Sequence, residues 1–372
     1  MKILSGGDIL LDGQVQTGLA VVFDETIRSI LSIDEAKRLD GQHIPYKGIL
    51  LPGFIDIHIH GASGADAMDA TFESLDTIAR TITRSGTTSF LATTMTMEEG
   101  HIIRSLENVR RFMEKQTAGA QCLGVHLEGP FIHPDYRGAH DENYIQRPSR
   151  RWIDPFLDII KVITLAPEMD EGHRFIKEMK DQVVLSLGHS GATYEEASES
   201  FRSGIRHVTH CFNGLSGLHH RDPGAAGAAL TQPVSIDMIT DLIHVHPDLF
   251  SLVIRQKGAD KFIAITDATR AAFCGDGTYD MGGRRMIVKD SVCRLEDGTL
   301  AGSTHRMDQA FKNIKDHTDC SLPELSQMLS TSAATLLGID HQKGHIKEGY
   351  DADLVVLEDY KVTDVFVRGE KQ

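Results

Sequence analysis

The sequence predicts an α/β fold: a (β/α)8 barrel of the TIM type, with a small β-sandwich domain built from both chain termini. Three observations predict it. Eight short apolar runs recur through residues 53–344, most of them separated by amphipathic helical stretches. Several of those stretches end in Ser-Gly or Lys-Gly just before the next run, a usual helix stop. Polar residues also gather at the C-terminal ends of the runs, which is where a barrel builds its site. A doubly wound sheet is the structural alternative, but it does not usually place polar residues at so many strand ends.

The predicted barrel strands are 54–60, 87–93, 122–128, 160–166, 183–189, 205–210, 236–242 and 261–267. Helical patterns such as TFESLDTIARTITRSG, TYEEASESFRSG and HPDLFSLVIRQKG lie between them. The chain ends read differently. Residues 1–52 and 345–372 hold short strand-like pieces around turns, such as DILLDGQ, LAVVFDETIRSILSI, ADLVVLED and KVTDVFVRGE. Neither end is long enough to build a core alone, so the two are expected to pair beside a catalytic barrel of residues 53–344. YDMGGRRMIV and SVCRLEDGTLAG read as a β-hairpin inserted around 278–300, after the eighth strand.

Composition narrows the function. A formal net charge of −15 argues against a nucleic-acid partner, and an anionic ligand would need a local basic pocket. The N-terminal MKILSGGDILLDG is expected to be neither a signal peptide nor an anchor. No apolar run approaches membrane-spanning length, so no membrane association is expected. The five cysteines are odd in number, scattered and free of CxxC, which suits reduced thiols and a cytoplasmic location.

The chemistry sits at the strand ends. In GFIDIHIHG, residues 53–61, side chains two apart share a strand face, so His58 and His60 project together. Those nine residues alone fit a solvated polar face as well as half a metal site. The third strand ends in His126 and Glu128, the fifth in His189, the sixth in His210 and the eighth in Asp267. A single strand-end histidine is more often a satisfied hydrogen-bonder than a ligand. Their joint placement at equivalent positions predicts a divalent metal site. Imidazole and carboxylate without thiolate suit Zn, Fe(II), Mn, Co or Ni. Cys211 directly follows His210, points to the opposite face and is expected to pack. Asp267 is a natural base for an attacking water, and the set as a whole reads as metal-assisted hydrolysis.

GFIDIHIHG, HLEGPF, LGHS, THCFNGL, ITDA and the C-terminal YDADLVVL together resemble the amidohydrolase superfamily, in its branch that deacetylates amino-sugar phosphates. The resemblance covers nearly the whole chain. It implies that Glu128, His189 and His210 hold one metal, and that His58 and His60 hold a second bridged by Glu128. Zn or Fe(II) would be the first candidates, at one or two ions per subunit. Many amidohydrolases bridge two metals with a carboxylated lysine at the end of strand four. Here that strand ends TLAPE and Lys161 lies near its start, so the Glu128 bridge fits better.

The resemblance also implies the ligand side. Asn213 and Gly214 would contact the sugar phosphate, and Arg221, flanked by His219 and His220, would pair with the phosphate. His244 would hold a sugar hydroxyl. Ala139, His140 and the stretch Leu300, Ala301 and Gly302 would line the sugar. Two departures from the family pattern stand out: Leu242 occupies a usual glycine position, and Thr304-His305-Arg306 replaces small and apolar residues at the expected pocket rim. The implied reaction is hydrolysis of the acetamide of N-acetyl-D-glucosamine 6-phosphate, with Asp267 as base and then acid, and His140 or His244 at the oxyanion. A homodimer is implied, with a side chain borrowed across the interface. The rival readings are the galactosamine epimer, a cyclic amide, a glycoside hydrolase and a non-catalytic sugar-phosphate binder. A glycoside hydrolase leaves the histidines unexplained, and a binder does not need Asp267.

Overall fold

The computed structural model describes residues 1–372. Eight parallel strands run in sequence order: β1 Phe54–Ile59, β2 Thr87–Thr93, β3 Gln121–Glu128, β4 Ile160–Leu165, β5 Val184–Leu187, β6 His207–Val208, β7 Ser235–Ile239 and β8 Phe262–Ile265. The barrel closes between its first and last strands. The Asp267 N–H donates to the His58 carbonyl at 2.9 Å, and Ile59 bridges Ala268.

Local sequence explains the repeating unit. In helix Phe72–Ile82, Leu75, Ile78, Ala79 and Ile82 are buried, at the spacing of one helical face. The Thr71 side chain accepts the Ser74 N–H and caps its start. Gly86, at φ 88°, ends the following turn and releases the chain into β2. Helices also follow β2 and β4 to β7, and Met307–His317 follows the insertion after β8. The third unit departs from the predicted strand–helix repeat. Between β3 and β4 the chain forms only single 3₁₀ turns. This link carries Pro130, Pro134, Pro148 and Pro155, each without a backbone N–H for a helical bond.

Six strands stop earlier than predicted: β1 and β4 by one residue, β7 by three, and β5, β6 and β8 by two. β5, β6 and β8 end two residues before His189, His210 and Asp267, which take left-handed backbones at φ 49°, 31° and 47°. The turn that ends each of these three is therefore made at the polar residue itself. The insertion also differs from a simple hairpin. Gly277–Met281, Arg284–Lys289 and Val292–Leu295 form a three-stranded antiparallel sheet. Gly282 and Gly283, at φ 60° and 82°, turn YDMGGRRMIV back on itself, a role that only residues tolerating positive φ fill easily.

Both chain ends build two further sheets. One has four strands, all from the N-terminal segment; the other has six, in which Ile49–Pro52 pairs with the C-terminal Leu354–Glu358, with Asp8–Leu11 on the outer side of the former and Lys361–Val367 on that of the latter. Leu4, Val21 and Phe23 of the first sheet pack against Ile9, Leu50, Leu354, Val356 and Phe366 of the second. Alternate residues of the six-stranded sheet, including Leu51, Val355 and Leu357, join the main barrel core instead. The central strands Ile49–Pro52 and Leu354–Glu358 are buried on both faces, which is why they are apolar at successive positions. No helix is long and apolar enough to cross a membrane.

Candidate metal centre and active site

The strand ends bring six of the predicted residues into one buried cluster. Glu128 lies at its middle. Its Oε1 is 3.1 Å from His189 Nε2, 3.0 Å from His210 Nε2 and 3.4 Å from His58 Nε2. Its Oε2 is 3.3 Å from His60 Nε2. Asp267 Oδ1 lies 3.1 Å from His60 Nε2 and 3.5 Å from His58 Nε2. His58, His60, Glu128 and His210 are each at most 3% exposed.

The ring nitrogens show which histidines can ligate. His189 Nδ1 donates to the Tyr136 carbonyl at 2.8 Å, and His210 Nδ1 donates to the Asn213 carbonyl at 3.0 Å. Each Nε2 then carries a lone pair turned into the cluster. Both ring nitrogens of His58 and Nδ1 of His60 lack a hydrogen-bond partner although buried. Orphaned buried nitrogens are costly unless a cation takes them up. His140 differs. Its Nδ1 accepts the Thr96 N–H at 3.0 Å, which leaves a proton on the Nε2 that lies 3.5 Å from Glu128 Oε2. In that tautomer His140 donates into the site and does not ligate.

The electrostatics also call for positive charge. Burial works against ionising Glu128, but the charge of His58 and the charge and bond of His140 hold its carboxyl well below the usual range. Burial opposes a proton on His210 too, yet Glu128, Asp267 and Asp237 push it up to about 9. Burial raises the Asp267 carboxyl, but the electrostatic pull of the neighbouring His58 and the bond to His60 outweigh it and bring it down to about 2. The donor set is imidazole nitrogen and carboxylate oxygen, and the thiol of Cys211, which directly follows His210, is buried in the apolar core. These residues fit a divalent cation of the borderline, nitrogen-preferring kind.

A cleft opens over the cluster. His60, Glu128, Ala139, His140, His189, His210, Asn213, Gly214, His244, Asp267, Leu300 and Gly302 all border it. Gly214 has a steric reason to be glycine: at φ 60°, a Cβ there would lie 2.9 Å from His189 Nδ1.

The amidohydrolase family profile matches residues 49–371. The chain belongs to the amidohydrolase family. It is 42% identical over 323 residues to an N-acetylglucosamine-6-phosphate deacetylase of Bacillus subtilis, covering 84% of this chain and 81% of the relative. It is 35% identical over 329 residues to an N-acetylgalactosamine-6-phosphate deacetylase of Escherichia coli O157:H7, with 87% of each covered. The crystal structure of N-acetylglucosamine-6-phosphate deacetylase from Pasteurella multocida superposes with a TM-score of 0.94 at 29% identity, over 100% of this chain and 99% of that one. The Mycobacterium smegmatis deacetylase in complex with N-acetyl-D-glucosamine-6-phosphate superposes with a TM-score of 0.92 at 26% identity, over 100% and 98%.

Within this amidohydrolase, several predicted residues lie elsewhere. Arg221 is exposed on the loop after β6, where its guanidinium meets His220 Nε2 at 2.7 Å, and it does not border the cleft of its own chain. Ala301 is buried beneath the rim and its N–H is taken by the Cys293 carbonyl, so only Leu300 and Gly302 face the cleft. His126 lies one layer below the cluster. Both its nitrogens are bonded, to the Ile57 carbonyl at 2.9 Å and Thr164 Oγ1 at 2.6 Å, and burial pushes it down to about 3. Lys161 donates to the Asp158 carbonyl at the far end of β4.

The two departures from the family pattern are accommodated. Leu242 takes the glycine-like conformation at φ 69°, with its side chain directed to solvent. Asp241 braces the turn by accepting the Ile243 and His244 N–H groups and by pairing with His244 Nδ1 at 2.7 Å. Thr304, His305 and Arg306 do not reach the cleft: Thr304 bonds Ser291, His305 bonds Thr240 and Arg306 pairs with Asp308. Met281 and Thr299 border the cleft without having been singled out from sequence. Both come from the inserted sheet and the turn that follows it, whose approach to the barrel mouth has no local signature.

Proposed function

We propose that this chain hydrolyses the acetamide of N-acetyl-D-glucosamine 6-phosphate to D-glucosamine 6-phosphate and acetate. The observation that carries the reading is Asp267 set against the His58, His60 and Glu128 cluster at the floor of a cleft bordered by Asn213 and His244. Its support comes from relatives that perform this deacetylation.

Glu128, His189 and His210 would hold one divalent ion, and His58 and His60 a second that shares Glu128, with Zn or Fe(II) as the first candidates. A centre of this kind would supply a Lewis acid for the acetyl carbonyl and would lower the pKa of an attacking water toward neutrality. Asp267 is ionised at that pH and accepts the proton of the attacking water. As the C–N bond breaks, it returns that proton to the departing amine. His140 Nε2–H, held by the Thr96 N–H at its other nitrogen, donates to the developing oxyanion. Asn213 and His244 orient the sugar, and Asp241 fixes the His244 ring.

The phosphate would be held by Arg221 of a second copy. Arg221 borders no part of its own cleft, and exposed Leu218, Leu242, Ile243, Leu249 and Leu252 sit on the neighbouring segments after β6 and β7. Exposed apolar groups beside an unpaired cation suit a homodimer interface. The expected location is the cytoplasm.

Release of acetate from N-acetylglucosamine 6-phosphate, abolished by a chelator and restored by Zn or Fe(II), is the expected result. Failure to release acetate from a metal-loaded sample would reject the reading. The galactosamine 6-phosphate epimer is the second reading, favoured by the 35% identical Escherichia coli relative, and the same assay run on both epimers decides between them.

A further inference from the structure

Beneath the metal cluster lies a carboxylate that the reaction does not use. Asp237, in the middle of β7, is completely buried. Its Oδ1 accepts the backbone N–H of His210, and its Oδ2 lies 3.0 Å from His207 Nε2. Its own carbonyl accepts the Cys211 N–H at 2.9 Å. His207 is anchored in turn by Ser235 Oγ at 2.8 Å from Nδ1. A carboxylate that is both buried and fully bonded at this depth costs desolvation and needs a compensating role.

That role follows from the His210 backbone. β6 is only two residues long and ends at Val208. His210 then adopts φ 31°, in the left-handed region that non-glycine residues avoid, and Phe212 follows at φ 79°. The ligand ring can enter the cluster only if this strained turn is kept. Ordinary strand pairing cannot keep it, because the β6–β7 register pairs His207 with Ser235 and Val208 with Ile236 and goes no further. The Thr209 N–H turns back to the Leu187 carbonyl of β5, and the Asp237 carboxylate and carbonyl take the N–H groups of His210 and Cys211. A side chain thus takes the place of a backbone acceptor for the His210 N–H, beside the backbone bonds of Cys211 to Asp237 and of Asn213 to His210.

We infer that Asp237, braced by His207, is a positioning residue that holds the His210 backbone in the turn presenting its Nε2 to the metal. The inference rests on His210 being a ligand, as in the proposed function. Two substitutions separate shape from charge. Asp237→Asn keeps an oxygen for the His210 N–H and removes the charge, with His207 free to change tautomer toward Ser235 Oγ. Asp237→Ala removes the acceptor as well.

The measurement is metal affinity of the stripped protein, by Zn titration against a chromophoric chelator. Asp237→Ala is expected to weaken the tighter Zn site by about 10- to 100-fold, the usual range for loss of a partner that orients a ligand. Asp237→Asn is expected to stay close to the parent protein. With metal saturating, Asp237→Ala should lower kcat and leave KM for the sugar phosphate nearly unchanged. Should Asp237→Ala fail to fold, His207→Gln serves instead. It removes the brace, leaves Asp237 in place and is expected to weaken Zn in the same direction by a smaller factor.

Unchanged Zn affinity in a folded Asp237→Ala or His207→Gln protein would overturn the inference, and so would equal losses in the Asn and Ala variants. A parent protein that binds no Zn would instead reject the metal centre itself, so the two failures are distinguishable.

Discussion

The Nε2 atoms of His189 and His210 stand 3.1 Å apart, and each ring has committed its other nitrogen to a backbone carbonyl. Two imidazole lone pairs held face to face in a buried site repel one another unless a positive charge lies between or beside them. Glu128 Oε1, at 3.1 and 3.0 Å from the same two nitrogens, completes a three-donor set. The pair is therefore arranged to receive a cation, in a geometry set by the main chain.

A fully loaded protein is expected to hold two divalent ions. Replacing His58 and His60 together by alanine should leave one, because Glu128, His189 and His210 are untouched. Glu128→Gln should lose both more readily, since this carboxylate faces all four histidines. Elemental analysis of the three proteins decides. A single equivalent that the double alanine variant retains unchanged would exclude a two-ion centre.

Asp267→Asn keeps the shape of the side chain and removes its capacity to carry a proton. A fall in kcat of at least about a hundredfold is expected, within the usual contribution of general acid–base catalysis. Metal content and KM should be nearly preserved. Retention of most of the turnover would take Asp267 out of the mechanism.

Arg221→Ala should raise KM for the phosphorylated sugar by roughly ten- to a hundredfold, the value of about 1.5–3 kcal/mol for a hydrogen bond to a charged group. The unphosphorylated sugar should be affected little. Sedimentation should give a dimer for the parent protein. Equal losses on both sugars, or a fully active monomer, would contradict a phosphate contact made across two copies.

His305 predicts an acid limb in stability. Burial pushes its imidazole down to about 4, against about 6.5 in an unfolded chain. The unfolded protein therefore takes up a proton that the folded one refuses. This contribution is fully present above about pH 6.5 and is lost as the pH falls toward about 4. His305→Gln can still bond Thr240 and does not titrate. Urea midpoints taken in chelator at pH 7 and pH 5 should differ less for the variant than for the parent protein. An unchanged difference would remove His305 as the cause.

Sequence alone determined the features that repeat locally or depend on residue type. Period-3.6 and period-2 patterns marked the helices and barrel strands, and the two-residue spacing of His58 and His60 put both rings on one face. The choice of imidazole and carboxylate over thiolate indicated the kind of cation. The prolines of the 129–159 link were visible, yet the expectation of eight regular units hid their effect, which is the loss of a helix.

Tertiary structure decided whatever depends on which distant segments meet. Asp237 reads as one of three polar residues in the run IDMITDL, and it gains a role only because the sheet sets β7 beside the end of β6. Whether a histidine of the site faces the cluster with a lone pair, donates into it or sits one layer below depends on the partner of its second nitrogen: Thr96 for His140, the Ile57 carbonyl for His126, the Tyr136 carbonyl for His189. Arg221 was given a phosphate role by its motif, but its loop leaves it outside its own cleft. Periodicity is written along the chain within a few residues. Hydrogen-bond partners tens of residues apart are selected only when the sheet closes and its interior excludes water, so no local pattern carries them.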